Sequence, residues 1–195
     1  MPNRIQKSLF IAHAETIVPL SDSFKSNLLS KLRLLKVKKG ACILKQGTLS
    51  EYVYFIRQGY VRGYYEYQDK EITLWLNSVG EVVGSGSPII GDVPANETIE
   101  AIEDCELELI KKADIRKMLQ TYYEVLILMN HLLMNYYTDA SERALMSKIP
   151  NASDRYKYFL KSRYGKLANE VHLKYIASFL GIRNETLSRI RASIK

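Results

Sequence analysis

Arg183, Asn184, Glu185, Thr186, Ser188, Arg189 and Arg191 crowd one short stretch near the C-terminal end of the chain, with His172 and Lys174 just before it. The chemistry these residues suit is recognition of duplex DNA. Arg189 fits the O6 and N7 acceptors of guanine, and Glu185 can accept from the N4 amine of cytosine. Ser188, Thr186, Lys174, His172 and Arg191 are of the types that hold phosphates. Catalysis finds little support, and no catalytic residue is expected. The three histidines, His13, His131 and His172, fall in separate helical regions with no nucleophile or metal partner at useful spacing. His172 reads better as a phosphate contact or a helix-start residue.

Two helices must position this stretch. Ile176, Ala177 and Leu180 fall on one face of a first helix, Gly181-Ile182 makes a turn, and Leu187 and Ile190 repeat the apolar spacing in a second. Ala177 is small where the helices cross, and Gly181 can take the positive φ of a tight interhelical turn. Any small helical hairpin with a Gly turn shows part of this pattern. Here the apolar, small and Gly positions agree together, which favours a DNA-binding helix-turn-helix. Charge points the same way: residues 1–140 hold 16 Lys+Arg against 17 Asp+Glu, a net −1, whereas residues 141–195 hold 12 against 4, a net +8. A segment lying along phosphates would carry that excess, although a solvated basic face would too.

The 195 residues, 47% of them hydrophobic, suffice to bury a core. No apolar run approaches the ~18 residues of a membrane span. The opening Met1-Pro2-Asn3-Arg4-Ile5-Gln6-Lys7 lacks a following apolar h-region, so a cytoplasmic location is expected, with no membrane partner. Cys42 and Cys105 stand far apart without neighbouring ligands, so no metal site is expected. Both read as core thiols.

Ahead of the basic end, spacing predicts two short helices to about Leu35, the second capped at Ser21-Asp22. Strands follow over Cys42–Leu44, Tyr52–Ile56, Tyr60–Tyr67, Ile72–Leu76 and Glu106–Ile110, separated by Gly turns. This is the pattern of an antiparallel barrel or sandwich. The Gly84-Ser85-Gly86-Ser87 segment can present successive backbone N–H groups to an anion, although loops between barrel strands use the same residues. Glu124 to Ser147 contains neither Pro nor Gly. Leu126, Met129, Leu133, Tyr136 or Tyr137, Ala140 and Ala144 follow three- and four-residue steps, a coiled-coil seam for a second copy of the chain, while Leu128, Leu132 and Met134 would cover the barrel. A two-fold dimer places two recognition helices about one DNA turn apart on an inverted repeat. Another helix is expected over Asp154–Arg163.

Taken in order, the chain resembles the Crp/Fnr family of bacterial transcription regulators. The resemblance rests on Gly40, Gly47, Val53-Tyr54-Phe55-Ile56, Gly59, Val61-Arg62, Gly80-Glu81, Gly84 and Ala101-Ile102-Glu103-Asp104, and on Glu185, Ser188 and Arg189 in a Glu-x-x-Ser-Arg recognition helix. The wording of Tyr175–Ile182 and Leu187–Arg191 is most similar to regulators of the Bacteroidetes lineage. The resemblance implies an α+β chain: an N-terminal double-stranded β-helix (jelly-roll) sensor of cyclic-nucleotide-binding type over 1–111, a dimerisation helix region over 112–147 and a winged-helix-like helix-turn-helix over 148–195. It further implies a homodimer on double-stranded DNA, with RNA polymerase as a further partner.

Three departures limit the resemblance. Where the family's nucleotide cassette has a Gly-Glu turn for the ribose 2′-OH, this chain has Gly84-Ser85-Gly86; where an Arg pairs with the cyclic phosphate, it has Ala95, Asn96 and Glu97 after Pro94. A bound anion would lack its cation, so cAMP is not expected and no cofactor is assigned. Gly84, Ser85, Gly86, Ser87, Ala95, Asn96 and Glu97 stay as a candidate pocket for another effector. The cysteine cluster of oxygen-sensing members is absent, and the chain stops at Lys195 with little left for a β-wing. Ser or Thr commonly caps the family's recognition helix; here Arg183 occupies that place and Asn184 is the expected cap. Alternatives to a regulator without cAMP are a regulator gated by a nucleotide or other effector through the altered cassette, and a β-roll scaffold that binds no DNA.

Overall fold

The computed structural model describes residues 3–4, 7–84 and 93–194. A two-residue strand β1 (Asn3–Arg4) precedes helices α1 (Leu9–Glu15) and α2 (Asp22–Lys31). Ser21 caps α2 as its sequence predicts, accepting from the Phe24 N–H at 3.3 Å. Ser8 caps α1 and also donates to Glu108, whose carboxylate accepts from Leu9 N–H at 2.7 Å and from Arg57 at 2.8 Å. Glu108 is 1% exposed, so a buried carboxylate seats the positive end of α1 on the sheet behind it.

Among the described residues, nine strands form two sheets. After β2 (Arg33–Val37) come β3 (Cys42–Leu44), β4 (Tyr52–Gln58), β5 (Val61–Tyr67), β6 (Lys70–Asn77), β7 (Val82–Val83), β8 (Thr98–Ala101) and β9 (Cys105–Lys111). One sheet runs β1-β2-β9-β4-β7 and the other β3-β8-β5-β6, with antiparallel pairing throughout. Leu44, Tyr54, Ile56, Val61, Trp75, Ile99 and Leu107 fill the space between them. The β5–β6 hairpin turns on Gln68 and Asp69, at φ 48° and 59°, the left-handed pair of a two-residue turn.

The predicted helix to Leu35 ends earlier. Leu32 is extended at ψ 142°, and Arg33–Val37 pairs residue for residue with β9, from Arg33 opposite Leu109 to Val37 opposite Cys105. A short apolar run carries no period of its own, and the open edge of β9 decides its state. Cys42 also departs from expectation. It is exposed, whereas Cys105 is buried and its thiol is pushed up to about 11 by desolvation.

The helical part comprises α3 (Lys112–Leu119), α4 (Tyr123–Lys148), α5 (Ala152–Lys161), a 3₁₀ turn (Arg163–Leu167), α6 (Leu173–Leu180) and α7 (Asn184–Ser193). The turn takes Arg163 out of the helix predicted for it. A second cluster, around Phe24, Leu28, Leu32, Ile110, Met118 and Val125, packs α1 and α2 against the outer sheet face, α3 and the start of α4. The exposed face of α4 departs from the predicted seam at one position, Met129. Met129 packs onto this cluster, the Tyr136 hydroxyl donates to the Val82 carbonyl at 3.1 Å, and Met134, assigned by sequence to cover the barrel, is 54% exposed. Leu126, Leu133, Tyr137 and Ala140 face solvent. The predicted seam is otherwise exposed, and Met129 alone is turned inward because, with Val125 and Leu128, it is drawn to the core between α2 and α3.

Candidate nucleic-acid interface

The two helices of the predicted reading head meet as their apolar spacing requires. Ile176, Ala177, Leu180 and Leu187 are 0–3% exposed and belong to one cluster with Phe159, Tyr164 and Leu167. Gly181 ends α6 at φ 63°, where the Ile182 N–H closes on the Ala177 carbonyl at 3.0 Å. Arg155, on α5, donates to the Leu180 carbonyl at 2.6 Å and to that of Ile149 at 3.0 Å, so one guanidinium joins the ends of α4 and α6.

On α7, Leu187 faces inward, while Glu185, Ser188 and Arg189 lie together on the exposed side with Asn184. Spacing of three and four residues puts these side chains one above another on a convex surface, the form that enters a major groove. Thr186 is half-buried at the edge of this face. His172 caps α6, its Nδ1 accepting from the Lys174 N–H at 3.2 Å, and Lys174 lies 4.6 Å over the Tyr175 ring. Both remain exposed beside the turn.

Two assignments change. Arg191 points back into the head, donating to the Ala168 carbonyl at 3.1 Å and to Asn169 Oδ1 at 3.0 Å, so it ties α7 to the chain after the 3₁₀ turn rather than standing free for a phosphate. Asn184 is the first residue of α7 and not its cap; Arg183 holds the cap position and makes no side-chain cap bond. The first-turn N–H groups of α7 therefore receive no capping side chain from Arg183.

The C-terminal helices are fastened to the β-sheets on two sides. On one, Arg163 pairs with both Glu81, in the turn before β7, and Asp139 on α4. Burial works against the Arg163 charge, but Tyr164, Glu81 and Asp139 outweigh it and the guanidinium is held up. Burial also raises the Asp139 carboxyl, against the pull of Arg163 and Arg143. On the other side, α6 lies on β6: Ser178 Oγ accepts from the Thr73 N–H at 2.9 Å and donates to the Glu71 carbonyl at 3.0 Å. Arg62, 4% exposed and paired with Glu71 and Glu100, is stacked between Tyr64 and Tyr175 at 4.2 and 4.5 Å. None of these contacts has a local sequence signal, since their partners are far apart along the chain.

Of the candidate effector pocket, Ser85, Gly86 and Ser87 lie outside the described residues. Ala95 is buried, bonded through its backbone to Gly47 and Thr48, and Asn96 is exposed. Glu97 is 7% exposed and accepts from the Trp75 indole at 2.9 Å. Its carboxylate thus faces the core between the sheets, and the only guanidinium of β5, Arg62, is already held by two carboxylates.

Comparison with known proteins follows this division. Residues 34–122 match the family model described as the cyclic nucleotide-binding domain. Potassium channel KOR2 of Oryza sativa subsp. japonica is 29% identical over 132 residues, 66% of this chain and 18% of the channel, so the chain spans under a fifth of that relative. Among solved structures, FixK2 from Bradyrhizobium japonicum superposes with a TM-score of 0.75 at 22% identity, covering 84% of each chain. A mutant CooA from Carboxydothermus hydrogenoformans gives 0.72 at 17% identity, covering 98% of this chain and 85% of that one. The fold is that of these proteins, and its structural neighbours include Crp/Fnr-type transcription regulators. Among the described residues, no helix is long and apolar enough to cross a membrane.

Proposed function

We propose that this chain is a cytoplasmic, homodimeric, sequence-specific DNA-binding transcription regulator of the Crp/Fnr type that reads an inverted-repeat operator and is not controlled by cAMP. The observation that carries the reading is the Glu185-Ser188-Arg189 face of α7, exposed and polar on a helix whose opposite side is locked by Leu187. Arg189 and Glu185 read base edges; Ser188, Lys174 and His172 lie along the backbone phosphates. The regulator fold supports this reading, as does the basic balance of residues 141–195.

The test is selection of bound sequences from random duplex DNA by the full chain without ligand, at a stated near-physiological salt concentration. Enrichment of an inverted repeat is expected. Weak, strongly salt-dependent binding with no enriched motif would overturn specific reading by the free protein.

A second reading, control by a cyclic nucleotide through the altered cassette, is favoured by the domain match over residues 34–122. A ligand that binds the native state raises the melting temperature by mass action. No shift with millimolar cAMP or cGMP is the expected result.

A further inference from the structure

Eighteen large hydrophobic side chains are exposed among the described residues, and eight of them lie on α4: Tyr123, Leu126, Ile127, Leu133, Met134, Tyr136, Tyr137 and Leu145. Among the exposed positions of this helix, Tyr123, Leu126, Asn130, Leu133, Tyr137, Ala140 and Ala144 form one row at alternating three- and four-residue steps. Twenty-six residues make a helix about 39 Å long. In heptad terms Tyr123, Asn130, Tyr137 and Ala144 are a positions and Leu126, Leu133 and Ala140 are d positions.

Asn130 is the single amide in that row, where the other polar groups are the terminal hydroxyls of Tyr123 and Tyr137. It is exposed in one chain and makes no side-chain hydrogen bond among the described residues. Covered by an apolar partner, its amide would lose water and gain nothing in return. An identical amide opposite it removes the penalty, because an Asn side chain is both donor and acceptor and so complements itself. That condition selects the occupant of the face: a second copy of α4, parallel and in register, with Leu at the d positions on either side. An antiparallel arrangement would set Asn130 against Leu126 or Leu133, and a parallel one slipped by a heptad would set it against Tyr123 or Tyr137.

We propose that Asn130 pairs with its counterpart across the seam and fixes the register and two-stranded state of the assembly. The inference rests on the dimer in the proposed function. Register matters to that function because one heptad of slip would displace one reading head by about 10 Å along its partner, enough to break the spacing of two half-sites.

The experiment combines light scattering with cross-linking of the full chain in a Cys42→Ser background, which removes the exposed native thiol. Asn130→Cys should give a covalent dimer with diamide. Leu133→Cys should do the same, and its yield should fall when Asn130→Leu is added, with scattering then showing tighter association and species larger than the dimer. A monomer at all concentrations would overturn the dimer itself. A dimer that fails to cross-link at Asn130→Cys, or one whose register and size survive Asn130→Leu, would overturn the role of Asn130 and leave the dimer standing.

Discussion

Gly181→Ala separates two reasons for a glycine. Gly181 sits at φ 63°, ψ 37°, and a Cβ there would meet only Arg155 Nη1, at 3.6 Å, an ordinary van der Waals contact. The whole cost is therefore backbone strain, about 1–2 kcal/mol for an L residue in the left-handed region. For a chain of this size that lowers the melting temperature by about 2–8 °C. Asn, which tolerates the same region, should cost less than Ala, and Val, which crowds it, more. Gly165 offers the contrast. Its added Cβ would stand 2.1 Å from the Leu160 carbonyl oxygen, so the backbone itself must move and Gly165→Ala should cost more than Gly181→Ala. Urea unfolding followed by far-ultraviolet circular dichroism gives the series. If Asn at position 181 costs as much as Ala, or if Ala costs more than about 3 kcal/mol, strain is the wrong account and packing against Arg155 must set the turn.

Arg189→Ala should lose about 1–3 kcal/mol on the selected operator while binding to random duplex stays nearly unchanged; equal loss on both DNAs would remove its base-reading role. Arg191→Ala should destabilise the head by about 1 kcal/mol, because two internal hydrogen bonds go, yet leave the salt dependence of DNA binding intact. The Ser21 hydroxyl, 2.6 Å from Glu124, holds that carboxyl below its usual 4.5. A lowered folded value contributes stability that is fully present above 4.5 and is lost as pH falls below 4.5 through the depressed folded value, so Ser21→Ala should flatten the acid limb of a stability profile measured from pH 6 to pH 3.

The α6–α7 hairpin is legible because helix periodicity, a small crossing residue and a turn glycine all constrain the same twenty residues, and the strands because alternation and Gly turns recur along the first half. What escaped had causes outside its own segment. Arg33–Val37 is a strand because β9 offers an edge, and nothing in Arg-Leu-Leu-Lys-Val says so. The exposed row of α4 passes through Asn130 rather than Met129; an apolar pattern naturally prefers the methionine, and only the pull of the core between α2 and α3 turns it inward. Arg191 has a long enough side chain to reach back to Ala168, against the outward direction its spacing suggests. Glu81 and Arg163 are separated by 82 positions, so their pairing has no local signature.

Leu76 on β6 and Ile102 after β8 belong to the same buried cluster as Phe159, Tyr164, Ile176 and Leu187. The β-sheets and the C-terminal helices are consequently not interchangeable cartridges on a common shaft. Cutting the chain after α4 would strip the cover from Leu76 and Ile102 and leave Arg62 with one stacked ring instead of two, so each fragment would carry a raw apolar scar. A chimaera that borrows a foreign head inherits the same mismatch unless the outer face of β6 is rebuilt to suit it. Substitution is correspondingly cheap at Glu185 and Arg189, which are exposed and lie outside that buried cluster, whereas wholesale exchange of the C-terminal helices is costly.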